Sequence, residues 1–92
     1  MAKYRKKPVV IDAFRLGSKN IGDFKSWVSS FGDDFKEWFD FIGQLPYGEY
    51  LKVKTLEGTS YNVEPGEWII RGIKGEYYPC KSDIFEMTYE PV

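Results

Sequence analysis

Apolar and polar positions change period along the chain, and the changes mark its elements. In residues 8–16, Val10, Phe14 and Leu16 share one strand face with Asp12, while Val9, Ile11 and Ala13 share the other with Arg15. Both faces are mostly apolar, which predicts an interior strand covered on two sides rather than an edge. Residues 17–20 read as a loop. Ile21, Phe24, Trp27, Val28 and Phe31 then recur at helical spacing, with Asn20 and Asp23 placed to cap the start and Gly32 the end. That aromatic stripe reads as core. Residues 33–42 admit two readings. Phe35, Trp38, Phe39 and Ile42 suit a second helix, whereas Phe39 and Phe41 suit a strand. The spacing of Asp34 and Glu37 matches a capping box and favours the helix, started at Asp33 or Asp34. Residues 43–50, with Pro46 and Gly48, read as a loop.

The second half of the chain alternates. Leu51, Val53 and Thr55 oppose Lys52 and Lys54, predicting a half-buried strand over 50–56. Glu57 and Gly58 form a turn, and residues 59–63 return with Tyr61 and Val63 on one face. Residues 65–85 hold the densest run of turn signals, strand formers and aromatics. Pro65-Gly66 suits the centre of a type II turn. Residues 68–71 read as a strand with Trp68 and Ile70 facing one way, Ile69 and Arg71 the other. Gly72 and Gly75 bracket a reversal, residues 76–78 return, and Pro79 ends the strand. Asp83 and Glu86 fit the capping box of a short helical turn. Residues 88–90 read as a last short strand that Pro91 confines to an edge or end. A strand, then helices, then hairpins is the α+β order. The expectation is a single domain over 1–92: a small twisted antiparallel sheet of four to six strands with one or two helices packed on one face.

Composition narrows the chemistry. A chain of 92 residues buries only roughly 60–65% of its unfolded surface. Three Trp, seven Tyr and seven Phe exceed what so small a core readily holds, so some rings are expected in a pocket or interface. The net charge of -1 offers no global attraction to nucleic acid or an anionic membrane, and no specific DNA or RNA binding is expected. The charge is uneven, however. Lys3, Arg5, Lys6, Lys7 and Arg15 against Asp12 give residues 1–15 a local +4. A single cysteine, Cys80, excludes an internal disulfide and suits a reducing compartment. No apolar run approaches the ~20 residues of a membrane span, and the basic start lacks a signal-peptide core. The expectation is a soluble intracellular protein.

There is no histidine. That removes Ser-His and Cys-His nucleophile pairs, and with one cysteine it removes a structural zinc site. Neither phosphate-binding glycine motif occurs. Asp33, Asp34, Glu37 and Asp40 cluster and would carry carboxylate catalysis if they lined a pocket; on a helix surface they are a solvated face. Cys80 beside Lys81 lacks a visible general base and reads as a small buried hydrophobe. No catalytic residue, metal or cofactor is expected. A binding site is the better candidate. Arg71, Lys74, Tyr77, Tyr78 and Lys81 on the second hairpin, supported by Arg5 to Lys7, combine stacking faces with cations and suit a small anionic, nucleotide-like ligand. The same residues serve equally well as cross-strand pairs that stabilise a sheet.

Two stretches carry a resemblance: Tyr4-Arg5-Lys6-Lys7-Pro8-Val9-Val10-Ile11-Asp12-Ala13-Phe14, and residues 65–91 with Gly-x-x-Gly-Glu-aromatic-Tyr-Pro-Cys-Lys, then Asp-Ile-Phe-Glu and Thr-Tyr-Glu. They resemble a family of small bacteriophage and prophage proteins without an assigned activity. Some of its members carry Pro-Gly-Asp-Tyr-Gly where this chain has Pro65-Gly66-Glu67-Trp68-Ile69; residues 17–50 lie outside the resemblance. It implies a phage protein in the cytoplasm of an infected bacterium. Small phage proteins without catalytic groups often act by binding. Some are anti-defence sponges, usually homo-oligomers whose interfaces form the pockets, that sequester nucleotide-derived immune signals. The alternatives are an interaction module that inhibits or adapts a host or virion protein, and a small hydrolase of such a signal.

Overall fold

The computed structural model describes residues 2–5, 7–17, 20–45 and 48–92, with the backbone alone for 41–45 and 48–50. Lys6, Ser18, Lys19 and Pro46, named above in the basic lead and the loops, lie outside the described residues. The fold is α+β, with six short strands and three helices among the described residues. Their order is β1 (Asp12–Arg15), α1 (Ile21–Ser30), α2 (Phe35–Trp38), β2 (Phe39–Leu45), β3 (Gly48–Lys54), β4 (Ser60–Val63), β5 (Trp68–Arg71), β6 (Tyr77–Cys80) and α3 (Ser82–Thr88). The strands form two three-stranded antiparallel sheets, β1-β5-β6 and β2-β3-β4. The sheets meet where β3 lies against β6.

The turns obey local chemistry. Glu67 donates its N–H to the Glu64 carbonyl at 3.0 Å across Pro65-Gly66, and Gly66 has φ 97°, as a type II turn demands of its third residue. β1 is fastened to this turn: the Gly66 N–H reaches the Leu16 carbonyl at 2.6 Å, and the Arg15 guanidinium donates to the Gly66 carbonyl at 3.2 Å. In the second hairpin the Gly72 N–H donates to the Glu76 carbonyl at 2.8 Å, and Gly75 takes φ 78°. Helix α1 runs over the expected face, burying Phe24 and Val28. Asn20 stands at its start without capping it. The Asn20 side chain instead accepts from the Gly17 N–H at 2.7 Å and donates to the Arg15 carbonyl at 3.1 Å, bracing the loop that leaves β1.

The core gathers Leu16, Phe24, Val28, Phe39, Leu51, Val53, Val63, Ile69 and Tyr77 between α1 and the two sheets. Phe24 is its hub, with ring centroids at 5.3 Å from Phe14, 5.8 Å from Trp27, 5.9 Å from Phe35 and 4.9 Å from Phe39. Full burial of such a ring contributes about 1.5–3 kcal/mol. Much of the aromatic surplus is thus spent inside. The first sheet is covered on both faces. Phe14, Ile69 and Tyr77 turn to the core. Trp68, one residue out of register with Ile69, lies under α3, where Phe85 stacks on it at 3.9 Å with an 8° interplanar angle.

Several expectations change. β1 has the covered faces its two-sided apolarity implies, yet it is the outer strand of its sheet; apolar faces report what packs above and below, not lateral neighbours. The helix expected over 33–42 stops at Trp38. Asp34 caps it, its carboxylate accepting from the Lys36 N–H at 3.1 Å, and Phe39 opens β2 by pairing with Val53. The loop expected over 43–50 is largely strand, belonging to β2 up to Leu45 and to β3 from Gly48. α3 begins at Ser82, so Asp83 sits inside its first turn instead of capping it, and its carboxylate accepts from the neighbouring Ile84 N–H at 2.9 Å. Residues 89–92 add no strand.

Candidate functional site

Two hairpin tips stand side by side where the sheets meet. The β3–β4 tip brings Thr55, Leu56 and Glu57, with Tyr61 from β4; the β5–β6 tip brings Ile73 and Lys74, with Glu76 to Pro79 from the return strand. They enclose a cleft of about 620 Å³, within the range that holds a small-molecule ligand. Its walls are apolar and aromatic. Leu56, Tyr61 and Ile73 are exposed at 64%, 44% and 72%, an apolar cluster that the chain leaves open to solvent. Among the described lining residues Lys74 is the single cation, facing the carboxylates of Glu57 and Glu76. Glu76 folds back over Gly72, which has no side chain to obstruct it, and its Oε2 is buried with no hydrogen-bond partner among the described residues.

The candidate binding residues divide among three places. Lys74 and Tyr78 line the cleft. Tyr78 is half-buried, and burial together with a hydrogen bond to Tyr89 pushes its phenol above the usual range. Arg71 and Tyr77 are brought together on the core side of the sheet, with structural partners. Tyr77 is fully buried, and its hydroxyl donates to Asp33 Oδ2 at 2.7 Å. Arg71 donates from Nε to the same oxygen at 3.4 Å, and its guanidinium lies 4.4 Å over the Phe31 ring. Burial, reinforced by the Asp33 bond, raises the Tyr77 phenol well above the usual range. Lys81 is exposed just before α3, and Arg5 and Lys7 are exposed on the segment leading to β1; none of these three lines the cleft.

The acidic cluster is dispersed by the fold. Asp33 holds Tyr77 and Arg71, Asp34 caps α2, and Asp40 pairs with Lys54 at 3.6 Å. Among the described residues no group of three or more His, Cys, Asp or Glu is placed to hold a metal ion. Cys80 is part-buried. Burial, then the carboxylates of Asp83 and Glu67, push its thiol up rather than down, so the neighbouring Lys81 does not activate it.

Sequence reasoning missed Leu56, Tyr61 and Ile73 as site residues. Their signal is faint: Leu56 and Ile73 are apolar residues at turn positions, where solvent-facing polar residues are usual. No helix among the described residues is long and apolar enough to cross a membrane. The chain matches no known protein family, no curated protein and no solved structure.

Proposed function

We propose that the protein is a non-enzymatic phage protein that sequesters a small nucleotide-derived signalling molecule in the cleft between the two hairpin tips, in the cytoplasm of an infected bacterium. The observation that carries this reading is the placement of Tyr61, Tyr78, Leu56 and Ile73 around a space of about 620 Å³ with Lys74 at its rim. A planar base would lie against the aromatic and aliphatic wall, and an anionic group would take the Lys74 ammonium. The resemblance of residues 4–14 and 65–91 to phage proteins supports the biological setting. The dispersal of Asp33, Asp34 and Asp40 to structural partners weighs against the hydrolase alternative.

The test is native mass spectrometry of protein purified from phage-challenged cells, then denaturation and analysis of what is released. An intact nucleotide is the expected result. Lys74→Ala should then weaken its binding about tenfold or more, or ~1.5 kcal/mol, as for losing a charge-assisted contact. Tyr61→Ala should weaken it comparably through lost stacking, about 1–3 kcal/mol. Protein that retains no small molecule, and gives no heat with nucleotides in calorimetry, overturns the reading.

A second reading, an interaction module for a host or virion protein, is favoured by one observation. Ile84 and Met87 on α3 are exposed at 52% and 87%, three residues apart on one side of the helix. Retention of one host protein by nucleotide-free monomer would select it.

A further inference from the structure

Away from the cleft, the segment before β1 and the helix α3 leave a second apolar surface uncovered. Tyr4 is exposed at 94%, Val10 at 76% and Met87 at 87%. Between them lies a groove of about 300 Å³, walled by Val9, Val10 and Ile11 on one side and by Tyr89, Pro91 and Val92 on the other, over the stacked rings of Trp68 and Phe85. This stack is rigid, since its rings lie 3.9 Å apart and nearly parallel. The groove therefore stands ready without rearrangement of the fold.

Charge separates the two borders of this surface. Lys3, Arg5 and Lys7 on the leading segment are exposed, and so are Asp83, Glu86 and Glu90 on and after α3. The segment cannot satisfy its own groove. Val9 to Ile11 already form one wall, and Tyr4, five residues upstream, lies up to about 18 Å further on if extended, almost wholly in solvent. β1, which continues the segment, is the outer strand of its sheet. The chain thus carries a basic, aromatic extension and an acid-rimmed apolar groove that it does not join to each other.

We propose that residues 2–10 of a second copy of this chain occupy the groove, in a reciprocal two-fold exchange, with the partner's Tyr4 over the Trp68–Phe85 stack and the partner's Lys3 and Arg5 against Asp83, Glu86 and Glu90. A second copy is the occupant because donor and acceptor lie on the same chain, so one two-fold operation satisfies both and closes the assembly. The charges at the rim set register and partner choice, while the ring and the aliphatic wall supply the buried contact. The dimer is independent of the nucleotide reading, since none of its residues lines the cleft.

The test is light scattering and native mass spectrometry of the full chain over a concentration series. The wild type should have twice the chain mass, and Tyr4→Ala should halve it. Lys3→Glu with Arg5→Glu, and separately Glu86→Lys with Glu90→Lys, should each give monomers. Mixing those two monomers should restore a dimer, because each extension then meets a groove of opposite charge. All these side chains are exposed, so circular dichroism and melting of each variant should match the wild type. A wild type monomeric at every concentration, a dimer that survives these substitutions, reversed monomers that do not associate on mixing, or a monomer holding a different protein through this surface would each overturn the proposal. Titrating nucleotide into Tyr4→Ala and Lys74→Ala separates the two readings: the first variant should lose the dimer and keep the ligand, the second the reverse.

Discussion

The Tyr77 hydroxyl and the Asp33 carboxylate are joined by a 2.7 Å hydrogen bond across 44 positions of sequence. The same carboxylate oxygen takes Arg71 Nε at 3.4 Å, so the end of α1 is tied to both strands of the second hairpin. Asp33→Ala should leave a buried hydroxyl and a part-buried guanidinium without their acceptor and cost roughly 2–3 kcal/mol. Tyr77→Phe, which keeps the ring packing, should cost only about 1 kcal/mol. Denaturant melts of both variants and of the double variant measure this; additive losses would show that the pair does not interact.

The same bond makes stability fall at alkaline pH. Burial and the Asp33 carboxylate hold the Tyr77 phenol neutral and its pKa above that of the unfolded chain, and burial with Tyr89 does so for Tyr78. The stabilisation is full below the unfolded value near pH 10 and is lost as pH rises through the folded-state values. Denaturation midpoints should hold steady up to about pH 10 and fall above it. Tyr77→Phe should fall less steeply, and equal slopes would remove Tyr77 as a cause.

Gly72 and Gly75 flank one turn but should respond differently to alanine. A Cβ at Gly72 would overlap the Glu76 carboxylate, the mobile tip of a long side chain, whereas Gly75 has φ 78°. Gly72→Ala should move Glu76 aside at a cost within about 0.5 kcal/mol, as for an ordinary surface change. Gly75→Ala should cost about 1–2 kcal/mol, since a side chain disfavours that backbone conformation. Thermal melts of the two variants compare them directly.

Cys80 should be a slow thiol. Its pKa is raised first by burial and then by Asp83 and Glu67, so little thiolate forms at neutral pH. Alkylation of the native protein should be slower than of the unfolded chain, and Asp83→Asn should speed it modestly. Native alkylation at the unfolded rate would contradict this.

How far the chain could be read from its residues differs by element. The α1 stripe of Phe24, Trp27 and Val28, the Pro65-Gly66 turn and the Gly72–Gly75 reversal were legible because each depends on neighbours within a few positions. The boundary at Phe39 was not. Phe35 and Trp38 satisfy a helix, and Phe39 leaves it only because Val53 offers a ladder partner from another part of the chain. The candidate site was half legible. Lys74 and Tyr78 reach the cleft, but Arg71 and Tyr77 share the core-facing side of the hairpin, where Asp33 binds both.

By itself the sequence determined the α+β class, the helix face and the turns, because dihedral preference and hydrophobic period act over short distances. It also excluded chemistry that needs histidine or a cysteine pair. Only the tertiary structure decided that the strands divide into two sheets, that β1 is an outer strand, that the acidic residues serve as caps and ties, and that Tyr61 meets Lys74 and Tyr78 around one cleft. These outcomes turn on pairings between residues far apart in the chain. Many such pairings fit the same hydrophobic pattern, and close packing of the whole core selects among them.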